Sequence, residues 1–196
     1  MSMQPYFVEV FGTPEAGKTT AIKEVITSLT NNGNKVLYIQ ESAEVVPTQF
    51  PKNSIEAHIW MRLRTAQSVL LATFSQTDIV IADRGILDAL FMNYLYFKQG
   101  KLSKTQLDAM QNFFTKLFPK PDLAIAFLTT PEEAISRRGG EGRIVTKEYI
   151  KKHNKAFISF CNIVEPHPIL LDTTHLSADL VSQFTKVVIE KHFYNH

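Results

Sequence analysis

The sequence predicts a three-layered α/β fold, with a five-stranded parallel sheet covered by helices on both faces. Three observations predict it. Short apolar runs alternate along the chain with longer stretches of helical periodicity. Strands separated by helices form parallel βαβ units, whose sheet must be covered on both sides. The bulk composition is that of an ordinary globular chain, with 196 residues, 44% hydrophobic and 20% charged. That length is a prior for one domain over residues 1–196, and it suffices to bury a core.

Each element follows in order. Tyr6–Phe11 reads as a strand that runs straight into a glycine-containing loop. From Gly17 to Asn32, the positions Ala21, Ile22, Val25, Ile26 and Leu29 follow the i, i+3, i+4 spacing of an amphipathic helix. Asn31-Asn32-Gly33-Asn34 ends it, with Gly33 available for a left-handed cap. Lys35–Gln40 is the second strand, Asn53–Ser75 a long helix and Asp78–Ala82 a buried third strand. Leu87–Phe97 and Thr105–Phe118 are helices split by Gln99-Gly100. Leu123–Leu128 is the fourth strand, and Pro131 opens a short helix ending at Arg138-Gly139-Gly140. Thr146–Ile163 is helical, Pro168–Leu171 the fifth strand and Ser177–Lys191 the closing helix.

Charge and cysteine content narrow the class. Lys plus Arg number 21 and Asp plus Glu 19, for a formal charge of +2 that says little about partners. The only tight basic cluster is Arg137, Arg138 and Arg143, where a nucleic-acid binder usually shows a basic stripe. The single Cys161 forms no internal disulfide, and its apolar surroundings make it a buried structural thiol. No apolar run approaches the roughly 20 residues of a membrane span, and no leader pattern precedes the first strand. A cytoplasmic chain without membrane or nucleic-acid partners is expected.

The strongest motif is Gly12-Thr13-Pro14-Glu15-Ala16-Gly17-Lys18-Thr19, which meets the pattern G-x-x-x-x-G-K-[ST] in full. Its glycines let successive backbone N–H groups turn into one anion-binding concavity, and the following helix adds its positive N-terminal end. Lys18 is expected on the β- and γ-phosphates of ATP, and the Thr19 hydroxyl on Mg²⁺. The strand before the loop and the helix after it supply the required context.

Ligands in open α/β sheets sit beyond the carboxyl ends of the strands, so polar residues at those ends come next. The third strand ends Asp83-Arg84-Gly85. Asp83 stands where such an enzyme holds Mg²⁺, and Arg84 would point a fork of donors at a phosphate or at the acceptor. A salt bridge or a helix N-cap is the structural alternative for Asp83. Glu41 ends the second strand and would accept the proton of an attacking hydroxyl, or else serve as an acid at a helix start. Arg137-Arg138-Gly139-Gly140-Glu141-Gly142-Arg143 reads as a mobile basic lid at about residues 137–146, in which Arg137, Arg138 and Arg143 would stabilise a transferring phosphoryl group. A solvated surface loop is the alternative.

Taken together, these residues resemble the nucleoside and nucleotide kinases among P-loop enzymes. Thymidylate kinases carry an E-G-x-x-G-x-G-K-T-T loop, to which Gly12 through Thr20 is similar, and an Asp-Arg pair matched by Asp83-Arg84. Deoxynucleoside kinases share the arginine-rich lid and have a Glu ending the second strand as base for the 5′-hydroxyl, matched by Glu41. Their long substrate helix carries polar and aromatic residues before an Arg, which looks like His58, Trp60, Arg62 and Arg64. On a helix with Ile55, Ile59 and Leu63, His58 and Trp60 also suit packing roles. The resemblance implies an ATP- and Mg²⁺-dependent phosphotransferase acting on a nucleoside or nucleoside monophosphate. Exposed apolar helix faces would suit a homodimer. A regulatory ATPase or GTPase is the rival class, against which stands the absence of an Asn-Lys-x-Asp guanine motif. A P-loop kinase with a non-nucleotide acceptor stays open as well.

Overall fold

The computed structural model describes residues 4–51, 54–137 and 146–196. Its sheet has five strands in the order β2-β3-β1-β4-β5, and every neighbouring pair is parallel. The strands are β1 (Tyr6–Gly12), β2 (Val36–Ile39), β3 (Ile79–Asp83), β4 (Leu123–Leu128) and β5 (Ile169–Asp172). Between and after them run α1 (Lys18–Asn31), α2 (Ile55–Thr73), α3 (Ile86–Lys98), α4 (Lys104–Leu117), α5 (Pro131–Arg137), α6 (Lys147–Cys161) and α7 (Ala178–Tyr194). The expected architecture is therefore present, with one short 3₁₀ turn at Ser42–Val45 that periodicity did not reveal.

Local signals explain most element ends. Ser54, Ser103, Thr146 and Ser177 each cap the helix that follows by accepting a backbone N–H. At the end of α1, Gly33 has φ 87°, and the N–H groups of Gly33 and Asn34 return to the carbonyls of Thr30 and Leu29. That is the left-handed closure expected of this glycine.

Successive residues of a strand point to opposite faces, and β1 shows it. Phe7 and Phe11 join Ala82, Phe91 and Phe157 in the apolar layer beneath α2, α3 and α6. Tyr6, Val8 and Val10 join Ile22, Leu29, Ile81 and Ile125 in the layer beneath α1 and α7. Glu9 is the exception, a fully buried carboxylate within the central strand. Cys161 is buried as expected, and burial pushes its thiol up to about 12.

The centre of the sheet admits no side chain where β1 ends. A Cβ on Gly12 (φ 133°) would lie 2.0 Å from the carbonyl oxygen of Phe127 on β4. Gly12→Ala should therefore cost about 3 kcal/mol or more, read by chemical denaturation. A loss below about 1 kcal/mol would contradict so close a passage of the two strands.

Two buried histidines add a pH dependence. Burial first, then nearby cationic side chains, hold His58 down at about 4 and His153 at about 3. Their folded pKa values lie below the unfolded 6.5, so the unfolded chain binds protons first and stability falls as pH drops below 6.5. Glu9, raised to about 7 from 4.5 chiefly by burial, acts oppositely and gains stability as pH falls through that window. Comparing His153→Phe with the wild type isolates one term. The variant should flatten the acid-side slope by up to about 1.4 kcal/mol per pH unit between pH 6 and 4, measured by urea unfolding at each pH.

Candidate active site

Beyond the carboxyl ends of the strands lies one cleft of about 1360 Å³, lined along its floor by Pro14 to Thr20. Because β1 is the middle strand, the phosphate loop divides this cleft. One side is walled by α5 and the start of α7, with Arg137, Leu176, Ser177 and Val181. The other is walled by β2, α2 and α3, with Glu41, Arg62, Arg84, Asp88, Met92 and Tyr96.

The loop is held from below by Thr13, which is fully buried. Its N–H donates to the carbonyl of Phe127 at 2.9 Å, and its hydroxyl donates to Asn154 Oδ1 on α6 at 2.8 Å. Gly17 adopts φ 87° at the start of α1, and Glu15 turns through φ 60° on the loop's outer side. Lys18 Nζ donates to the Thr13 carbonyl at 2.7 Å. Burial first, then repulsion from Arg84, brings the Lys18 ammonium down to about 8, against the pull of Asp83, Glu41 and Asp88. A bound polyphosphate would supply the missing counter-charge.

The cation residues expected from the sequence meet. Thr19 Oγ1 donates to Asp83 Oδ2 at 2.5 Å, while Asp83 Oδ1 is buried without a hydrogen bond of ordinary geometry. Burial raises the Asp83 carboxyl, against Lys18 and Thr19. A buried carboxylate beside a hydroxyl fits a hard, oxygen-seeking cation such as Mg²⁺. No three acidic, His or Cys side chains converge among the described residues, so phosphate and water oxygens would complete its shell.

On the side walled by β2, α2 and α3 the charges alternate. Arg84 follows β3 in a left-handed conformation, φ 66°. Its Nε lies 2.9 Å from Glu41 Oε1 and its Nη1 2.7 Å from Asp88 Oδ1. The other oxygen of Asp88 meets Arg62 Nη1 at 3.3 Å. Burial works against the Arg84 charge, but Glu41, Asp88 and Asp83 outweigh it and raise its pKa. Burial likewise opposes ionisation of Asp88, yet Arg84 and Arg62 hold its carboxyl below the usual range.

Other sequence-predicted residues lie elsewhere. His58 is fully buried, 2.9 Å from Asn93 and stacked on Tyr96 with 4.1 Å between centroids, so Tyr96 stands between it and the cleft. Trp60 faces Phe50 at 6.5 Å, and Arg64 lies over its ring at 5.9 Å. Neither Trp60 nor Arg64 lines the cleft. Arg137 does, but its guanidinium is engaged by Glu133 at 2.9 Å, Thr173 Oγ1 at 3.1 Å and the carbonyls of Thr173 and Leu176. It braces the loop after β5. Arg138 and Arg143 lie outside the described residues.

Residues unforeseen from the sequence also reach the site. Asp88 is one, and its signal was the spacing i, i+4 from Arg84. Met92, Tyr96, Gln99 and Lys101 close the far end of the cleft, and no local pattern distinguishes them from core or surface residues. His153 lines the cleft from α6 while packing on Phe91, 4.9 Å between centroids.

Comparison with known proteins gives a consistent picture. No family model matches the chain. A thymidylate kinase of Caldanaerobacter subterraneus subsp. tengcongensis is 26% identical over 189 residues, covering 87% of this chain and 88% of the relative. Another, of Lactobacillus delbrueckii subsp. bulgaricus, is 23% identical over 197 residues, covering 91% of each. Among solved structures, deoxyadenosine kinase from M. mycoides with the products dCMP and a flexible dCDP superposes with a TM-score of 0.71 at 19% identity, covering 97% of this chain and 100% of that one. The same enzyme with bound dATP gives a TM-score of 0.65, covering 96% and 99%. The chain thus has the P-loop NTPase fold, and it resembles the nucleoside and nucleotide kinases along nearly its whole length.

Proposed function

We propose that this chain is an ATP- and Mg²⁺-dependent phosphotransferase whose acceptor is the 5′-hydroxyl of a nucleoside. The charge balance on the acceptor side carries the reading. Two arginines, the buried Arg62 and the partly buried Arg84, are matched there by two carboxylates, the partly buried Glu41 and the buried Asp88. A dianionic monophosphate would have to displace one of those pairs in a poorly solvated wall, whereas a neutral hydroxyl need displace nothing. The relatives named thymidylate kinase support the second reading, a monophosphate acceptor bound by Arg84.

In this reading ATP lies along the phosphate loop, with Lys18 turning from the Thr13 carbonyl to the β- and γ-phosphates. Mg²⁺ at Thr19 and Asp83 would supply charge neutralisation for the same phosphates. Glu41 sits on the cleft wall, oriented by Arg84, and takes the proton from the attacking hydroxyl. Arg137 holds Thr173 and Leu176 and so shapes the wall beside the triphosphate, leaving direct charge stabilisation to Lys18, Arg84 and the expected lid arginines Arg138 and Arg143. Leu63 and Leu71 on α2, and Phe74 just after it, stay exposed, which suits the homodimer that belongs to this proposal.

A panel of nucleosides and nucleoside monophosphates, assayed for ATP-dependent phosphorylation, tests the assignment. Nucleosides should be the substrates, and Glu41→Gln should lower kcat by about 10²–10⁴ with the ATP KM preserved. Turnover of monophosphates alone, with Glu41→Gln nearly silent and Arg84→Ala raising the acceptor KM, would establish the second reading instead. Lys18→Ala should reduce turnover of any acceptor by several orders of magnitude, near 10³ or more, in a folded protein. Near-native turnover in that variant would remove the phosphate-loop assignment altogether.

A further inference from the structure

Glu9 is a buried ionisable residue that the reaction outlined above does not use. It lies in the middle strand, fully buried, and among the described residues no Lys, Arg or His side chain forms an ion pair with it. Oε1 accepts the N–H groups of Gly85 at 2.9 Å and Asp88 at 2.8 Å, and Oε2 accepts that of Leu87 at 2.9 Å. These are the free N–H groups of the first turn of α3. Where α2, α4, α6 and α7 are each capped by the side chain of the residue before them, α3 begins at Gly85, which has none. Its cap comes from another strand, across the sheet.

The turn so held carries the acceptor-side charges. Arg84 is immediately before Gly85 and is in a left-handed conformation that side chains adopt at a cost, with its N–H bound to the Val10 carbonyl at 2.9 Å. Asp88 gives its own N–H to Glu9 while its carboxylate holds Arg84 and Arg62. Gly85 and Glu9 fit each other closely, since a Cβ at position 85 would lie 2.7 Å from Glu9 Oε2. Stability alone would be met by a Ser or Asp at position 85, as in the other helices. A carboxylate reaching from β1 does something a local cap does not: it ties the entry of α3 to the strand that carries the phosphate loop.

We propose that Glu9 is a positioning residue, which sets the turn between β3 and α3 so that Arg84 and Asp88 meet the phosphate acceptor in register with the phosphate loop. The inference rests on the assignment of Arg84 to the acceptor side. It separates from a merely structural role because the strand's other connections, Thr13 to Phe127 and to Asn154, do not pass through Glu9. Loss of Glu9 should therefore act on the acceptor and spare ATP.

The test is steady-state kinetics of Glu9→Gln and Gly85→Ala beside the wild type, using the best acceptor of the panel. Glutamine retains the acceptor oxygen for two of the three N–H groups and sets its amide against the third. Gly85→Ala crowds the same carboxylate at Oε2, so it serves where Glu9→Gln fails to fold. Each should raise the acceptor KM about tenfold or more with the ATP KM within about twofold of wild type. Equal changes in both KM values, or no change in a folded variant, would overturn the proposal. A second readout needs no substrate: the side-chain ¹⁵N resonance of Arg84 Nε in the ligand-free protein should shift in Glu9→Gln. An unmoved resonance overturns the positioning role. If the wild type phosphorylates nothing on the panel, the acceptor assignment fails, and this resonance still decides whether Glu9 sets the turn that carries Arg84.

Discussion

The site depends first on the passage of β1 beside β4 at Gly12. With only a hydrogen at that position, the strand comes close enough to Phe127 for the next residue, Thr13, to donate its N–H to the Phe127 carbonyl. Thr13 then serves three elements at once. Its hydroxyl is tied to Asn154 on α6, Asn154 in turn donates to the Thr129 carbonyl at the end of β4, and the Thr13 carbonyl receives Lys18. A loop whose first turn is so constrained presents its remaining N–H groups in a fixed arc. Preorganised donors of this kind bind anions without further ordering cost.

The second organising constraint is electrostatic. Glu41, Arg84, Asp88 and Arg62 form a chain of alternating charge along one wall of the cleft. Taking such groups from water is costly, and the chain offsets that cost because each buried charge has a neighbour of opposite sign. Removing any inner member would strand another. The same reasoning explains why Asp88, absent from motif-level expectation, matters: without it, Arg62 would lose its carboxylate and Arg84 would keep only Glu41.

Residues on α2 show where reading a sequence stops. Helical periodicity identifies a buried stripe, and His58 and Arg62 both lie in it, one turn apart. Yet Arg62 meets Asp88 in the cleft wall, whereas His58 binds Asn93 behind the ring of Tyr96. The difference is made by α3, which supplies Asp88 to one and Asn93 and Tyr96 to the other. Arg137 gives the same lesson on the opposite wall, since its guanidinium is taken up by carbonyls that follow β5, more than thirty positions later in the chain. Such partners are set by how distant segments dock, and no local pattern encodes them.

By itself the sequence determined the parallel α/β architecture, the phosphate loop with Lys18 and Thr19, and the strand-end positions of Glu41, Asp83 and Arg84. Those features follow from periodicity, from glycine's backbone freedom and from the rule that parallel strands offer their carboxyl ends to ligands. Glu9 is a charge inside an apolar strand, a position to which no motif assigned a role. Only the tertiary structure decided that its carboxylate would meet the first turn of α3, and that Arg84 would divide its fork between Glu41 and Asp88. The reason is physical: a buried charge takes whatever donors the packing of remote elements brings within hydrogen-bond reach, and that packing is settled by the whole core at once.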